Sequence, residues 1–206
     1  KAHIKNSGGI RMVHPLSSVS VGADTSVTDS VPKGRGKLLH KGDIVSLDMV
    51  IRVGEKGISD KANSYVVGKN GKLAEVTLFK NEEKLELVDK EEFKGHLDTL
   101  GLKRKEKDGF LALYEAFAII KKHLIPGEKY EDVKRRIADE LKTKKMARYV
   151  YFNRIHELFG SDKIHTFEIG HTKGRSSLDG VVAIGDVVNL ESFFAVPGWR
   201  GFRKEV

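Results

Sequence analysis

Residues 38–68 read LLHKGDIVSLDMVIRVGEKGISDKANSYVVG, and this stretch decides the fold. Lys41, Gly42 and Asp43 make a turn signal, after which Ile44, Val45 and Leu47 build an alternating run that closes on Asp48. Gly54-Glu55-Lys56-Gly57 is a second turn, and Asp60 opens a return run ending in Val66-Val67-Gly68. The reading is a β-hairpin with strands over residues 44–53 and 58–67. Each strand carries one aspartate, so the two carboxylates are placed to face one spot.

Outward from the hairpin, four further stretches stand in order: PLSSVSVGADTSVTDSVP at 15–32, LIPGEKYEDVKRRI at 124–137, FEIGHTKG at 167–174 and GDVVNLE at 185–191. A strand is expected over 13–21. Residues 109–123 place Phe110, Leu113, Ala116, Phe117 and Ile120 at a helical period, and Pro126-Gly127 ends that helix. A second helix starts near Tyr130 with Glu131 and Asp132 in its first turn, turns Val133, Ile137 and Leu141 inward, and continues or restarts through Met146, Tyr149, Phe152, Ile155 and Phe159 until Gly160. Closing strands follow.

Taken together these motifs resemble the methionine aminopeptidases and their relatives, the pita-bread family. The strand GDIVSLD and the strand SDKANSYVVG resemble the pair that supplies that family's two ligand aspartates. The stretch GHTKG resembles the strand with its ligand histidine, and GDVVNLE the strand with a ligand glutamate. The resemblance implies an α+β pita-bread fold, a curved antiparallel sheet backed by helices, spanning residues 1–206 as a single domain. On that resemblance, the two helices that normally precede the strand at Pro15 are expected to be missing or lost. By position it also implies five metal ligands: Asp48, Asp60, His171, Glu191 and Glu205. In an active member these would hold two divalent ions, cobalt, manganese, iron or zinc, that polarise a carbonyl and deliver hydroxide.

The chain departs from that pattern where the chemistry lies. Asp29 stands where the family has one catalytic imidazole, and Arg175-Ser176-Ser177-Leu178-Asp179 runs where it has another. Neither replacement is a neutral imidazole donor. Asp48 and Asp60 are one residue further apart than usual, a slip that turns a side chain over unless a bulge at Gly54 or Gly57 absorbs it. Glu191 and Glu205 are closer together than usual, and Lys173 sits beside His171. The expectation is therefore a member without catalytic residues or resident cofactor. The alternative is an active dimetal methionine aminopeptidase acting on nascent chains, and a creatinase- or prolidase-like relative is a third reading.

Composition narrows the partners. The 206 residues carry a net charge of +8 and no cysteine, so disulfides and thiolate metal sites are excluded. No run of about 18 apolar residues exists to span a membrane. The excess charge is either a solubility feature or an attraction to a polyanion. Lys33, Arg35 and Lys37, then Arg135 and Arg136, then Lys144, Lys145 and Arg148, and finally Arg200 and Arg203 form basic clusters, two of them interleaved with glycine or aromatic residues. They are read as an RNA-binding surface, with ribosomal RNA and ribosomal proteins as partners, in the cytoplasm or the mitochondrial matrix. Residues 69–108 form a charged insertion, either packed on the rim or on a protein partner, or a solvated loop.

Overall fold

The hairpin read from residues 38–68 forms the centre of the N-terminal sheet. In the computed structural model, which describes residues 10–12, 18–26, 38–53, 57–144, 150–157, 165–170, 181–182, 184, 188–196 and 199–206, strands β3 (Ile44–Val53) and β4 (Gly57–Val67) pair antiparallel. The ladder runs from Ile44 opposite Val66 to Val53 opposite Gly57 without a register shift. Asp48 lies opposite Ala62, and Asp60 opposite Val50, two residues further along β3. That even offset assigns the two positions to one side of the ladder, so the longer spacing needs no bulge at Gly57. Gly54 lies outside the described residues.

Around this pair, β1 (Ile10–Met12) and β2 (Ser18–Val21) both join β3, and β5 (Leu73–Glu75) joins β4. A second antiparallel sheet has the order β11-β10-β8-β9, built from β8 (Val150–Glu157), β9 (His165–Gly170), β10 (Val188–Val196) and β11 (Arg200–Glu205). The helical continuation read from Tyr149 to Phe159 is therefore corrected. Residues 150–157 are a strand, because Val150, Tyr151, Phe152 and Ile155 favour extended backbone and β9 and β10 supply hydrogen-bonding partners on both sides. The three-residue interval from Phe152 to Ile155 alone does not separate the two periods.

Among the described residues three helices pack on the sheets: α1 (Lys90–Thr99), α2 (Arg104–His123) and α3 (Tyr130–Thr143). Helix α2 starts before the expected Gly109, because the Glu106 carboxylate accepts a hydrogen bond from the Lys103 backbone N–H at 2.8 Å and closes the first turn. It buries Phe110, Leu113, Ala116, Phe117 and Ile120, the face its period predicts. Helix α3 adds Val133, Ile137 and Leu141 to the same core. At about 1.5–3 kcal/mol for each large apolar side chain removed from water, this face is what makes α2 helical in place.

Residues 69–108 are not a solvated loop. They contribute Val76, Leu78, Phe79, Val88, Phe93, Leu97 and Leu102 to the core, and the Tyr114 hydroxyl donates to the Val88 carbonyl at 2.7 Å. The ribbon of β6 (Phe79–Asn81) and β7 (Glu86–Leu87) leads into α1, whose first N–H groups are capped by Asp89. The segment is tied to the end of the chain through Lys204, a buried ammonium that donates to Asn63 at 2.5 Å, Glu82 at 2.5 Å and Glu75 at 3.3 Å.

Burial pushes the Glu82 carboxyl up, but hydrogen bonds from Lys204 and Lys61 outweigh it and hold the group below the usual carboxylate range. A carboxylate lowered in the folded state adds stability that is complete above its unfolded value, about 4.3, and is lost as pH falls through the lower folded value. Melting temperature should accordingly fall more steeply with acid in the wild type than in Glu82→Gln. Parallel melting curves below about pH 4.3 would remove Glu82 from the account.

Candidate functional site

Strands β3, β10 and β11 bring three carboxylates to one place. Glu191 and Glu205 are direct cross-strand partners in the β10/β11 ladder, and Arg203 lies two residues before Glu205 on the same face, opposite Phe193. The short separation of the two glutamates is what makes them partners across a hairpin. Asp48 approaches from β3. Its Oδ2 is 2.7 Å from Arg203 Nη1, and Arg203 Nη2 forms an ion pair with Glu191 Oε1. All four residues are buried, with exposures of 7 % for Asp48, 1 % for Glu191, 8 % for Arg203 and 0 % for Glu205.

Electrostatics at this point favour the charged guanidinium. Burial alone would lower the Arg203 pKa, but Glu191, Asp48 and Glu205 more than offset it and raise the group above ordinary arginine. The fork geometry lets one side chain serve carboxylates from both sheets, which a lysine could not do with two separate nitrogens.

The backbone beneath Arg203 is fixed by a second contact between the sheets. The Ser64 hydroxyl of β4 donates to the Arg203 carbonyl at 2.8 Å and lies 3.0 Å from the Arg203 N–H, which donates to it. One turn of strand earlier, the Gly201 N–H donates to Thr25 Oγ1 at 2.8 Å. The Arg200 guanidinium meets Glu106 at 3.7 Å. Strand β11 is thus held from the N-terminal sheet, from the 3-10 turn at Gly22–Ser26 and from α2.

Of the expected ligands, Asp48, Glu191 and Glu205 come together. Asp60 holds the register position described above, and His171 lies outside the described residues. Carboxylates are the hard donors that divalent ions prefer. Yet Asp48 and Glu191 each pair with the Arg203 guanidinium, and among the described residues no group of three or more His, Asp or Glu side chains is arranged to hold a metal ion. The described side chains do not by themselves fit a two-metal centre.

The basic residues fare differently from one another. Lys33, Arg35, Lys37, Lys145 and Arg148 lie outside the described residues. Arg135 is exposed and pairs with Asp132 at 2.7 Å, Arg136 pairs with Glu128 at 3.2 Å, and Lys144 is exposed. Arg203 is corrected from the surface to the interior, since a strand alternation that buries Glu205 buries the residue two before it. Sequence reasoning therefore missed the central side chain of the site; its signal was that same interval of two on a closing strand. Ser64 carried no signal at all.

Among the described residues, two larger antiparallel sheets with three helices packed on them form the pita-bread fold. Among solved structures the chain is similar to the prolidase from Thermococcus sibiricus, at 18 % identity and a TM-score of 0.63, covering 99 % of this chain and 44 % of that one. It is also similar to the prolidase from Pyrococcus furiosus, at 15 % identity, TM-score 0.59 and coverages of 92 % and 44 %. The X-Pro aminopeptidase from Thermotoga maritima follows at 13 % identity, TM-score 0.56 and coverages of 92 % and 42 %. The chain spans less than half the length of these proteins, and at such identities the likeness is one of fold. No protein-family model matches the chain, and no curated protein does. These neighbours belong to a family related to the methionine aminopeptidases, whose motifs the sequence resembles. No helix among the described residues is long and apolar enough to cross a membrane.

Proposed function

We propose that this pita-bread protein does not hydrolyse peptides and serves as a binding module for RNA, with a ribosomal particle as the partner. The observation that carries the first half is the Arg203 guanidinium, paired with Asp48 and Glu191 where a peptidase of this fold needs its cations. A fixed positive charge there disfavours a second and third cation by direct repulsion. Asp29 and residues 175–179, which stand in for both catalytic imidazoles, point the same way. The second half is supported by the net charge of +8, which attracts polyanions irrespective of their sequence.

The test is metal content of the purified chain together with turnover of methionyl and X-Pro peptides in manganese or cobalt. The expected result is no turnover, with co-sedimentation on ribosomal particles at low salt. Metal-dependent turnover abolished by Asp48→Ala would instead establish a working dimetal peptidase.

A further inference from the structure

We infer that the run Lys103-Arg104-Lys105 is the surface through which the chain contacts RNA phosphates, an inference that rests on the RNA-binding reading above. All three side chains are exposed, and among the described residues none forms an ion pair. Several other cations on the helices are paired, Arg135 with Asp132 at 2.7 Å, Lys142 with Asp139 at 3.5 Å, Lys122 with Glu140 at 2.8 Å and the half-buried Lys94 with Glu91 at 2.5 Å, whereas the exposed Lys121 and Lys144 stand at the C-terminal ends of α2 and α3, where a cation suits the helix dipole. Lys107, one turn further on, is paired with Asp98.

Their position makes the run unfavourable for folding. It opens the 20-residue helix α2, where the helix dipole favours acidic side chains and disfavours cations. The one acid of that turn, Glu106, is buried, caps the Lys103 N–H at 2.8 Å and faces Arg200, so nothing acidic from it reaches the outer surface. Helix propensity offers no reason for three cations here, because glutamate would serve as well and suit the dipole better.

Phosphate is the chemistry that fits. Three long cationic side chains on successive residues fan out around the helix end and present many N–H donors without an apolar anchor, since Leu102 beside them is buried. A protein partner would need such a desolvated anchor, whereas phosphate contacts are made by exposed cations with release of counterions.

The decisive comparison is filter binding of a single-stranded RNA by the wild type, by Lys103→Glu/Arg104→Glu/Lys105→Glu and by the neutral Gln triple, over a salt series. Loss of three phosphate contacts should weaken binding at least about tenfold and flatten the log–log salt slope by roughly 2. The Glu triple should at the same time melt at the wild-type temperature or above it, because acids suit a helix start. Wild-type binding matched by both triples, with unchanged slope, overturns this surface and leaves the RNA reading standing. A wild type that binds no RNA at low salt overturns both, and preferential binding of poly-glutamate overturns the assignment to phosphate.

Discussion

Arg203→Met should lower the unfolding free energy by about 3–5 kcal/mol, the usual consequence of removing one partner of a buried ion pair and leaving the other charges behind. Asp48 and Glu191 would lose their shared guanidinium, with Glu205 two residues along the same strand face. For a domain whose whole stability is about 5–15 kcal/mol, that is a large fraction. Equilibrium urea unfolding of the wild type and variant checks the value through the midpoint shift at constant slope. Adding Asp48→Asn and Glu191→Gln in the Arg203→Met background should recover part of the loss, since neutral amides are cheaper to bury than carboxylates. A loss below about 1 kcal/mol for the single variant would show that the interaction is no more than a solvent-screened pair.

Gly201→Ala should be about as damaging for a different reason. A Cβ built at Gly201 falls 1.8 Å from the Thr25 carbonyl oxygen and 2.6 Å from its carbon. Both atoms are backbone, so relief requires β11 to move away from the 3-10 turn, breaking the 2.8 Å bond from the Gly201 N–H to Thr25 Oγ1. Overpacking of this kind typically costs about 1–3 kcal/mol and occasionally more, and the lost hydrogen bond adds about 1 kcal/mol. Displacing Gly201 also moves Arg203 on the same strand, so the carboxylate centre should loosen with it. The comparison is Gly109→Ala, whose Cβ would meet the Phe202 ring at 2.2 Å. A ring can shift where a peptide cannot, so this variant should melt above Gly201→Ala. Wild-type melting of Gly201→Ala would mean that β11 accommodates a side chain there.

The N-terminal hairpin was legible because its signals are local. Alternation from Ile44 to Leu47, glycine turns on both sides and a return run ending at Val66 and Val67 leave few other pairings open, and β3 and β4 follow that reading. The helix over Phe110 to Ile120 was legible for the same reason, its period being written in the apolar residues themselves. Residues 150–157 were misread, since which of two periods wins there depends on strands β9 and β10, far along the chain. The order within 69–108 was open for a similar cause. Its apolar residues are scattered among charges, and only packing against α2 and the sheet shows that they form one core.

Composition and pattern alone determined that the protein folds around an antiparallel hairpin carrying Asp48 and Asp60, that its metal chemistry, if any, is limited to carboxylate and imidazole, and that it bears a net charge of +8. Those properties follow from residue type and short-range spacing, which a linear chain records. Tertiary structure decided that Asp48, Glu191 and Glu205 meet, and that Arg203 is buried among them and not exposed to a polyanion. The reason is that a long cationic side chain has two low-energy fates, hydration at the surface or pairing with buried carboxylates. Only the approach of β3 to β11, set by Ser64 and Thr25 more than a hundred residues away, selects the second.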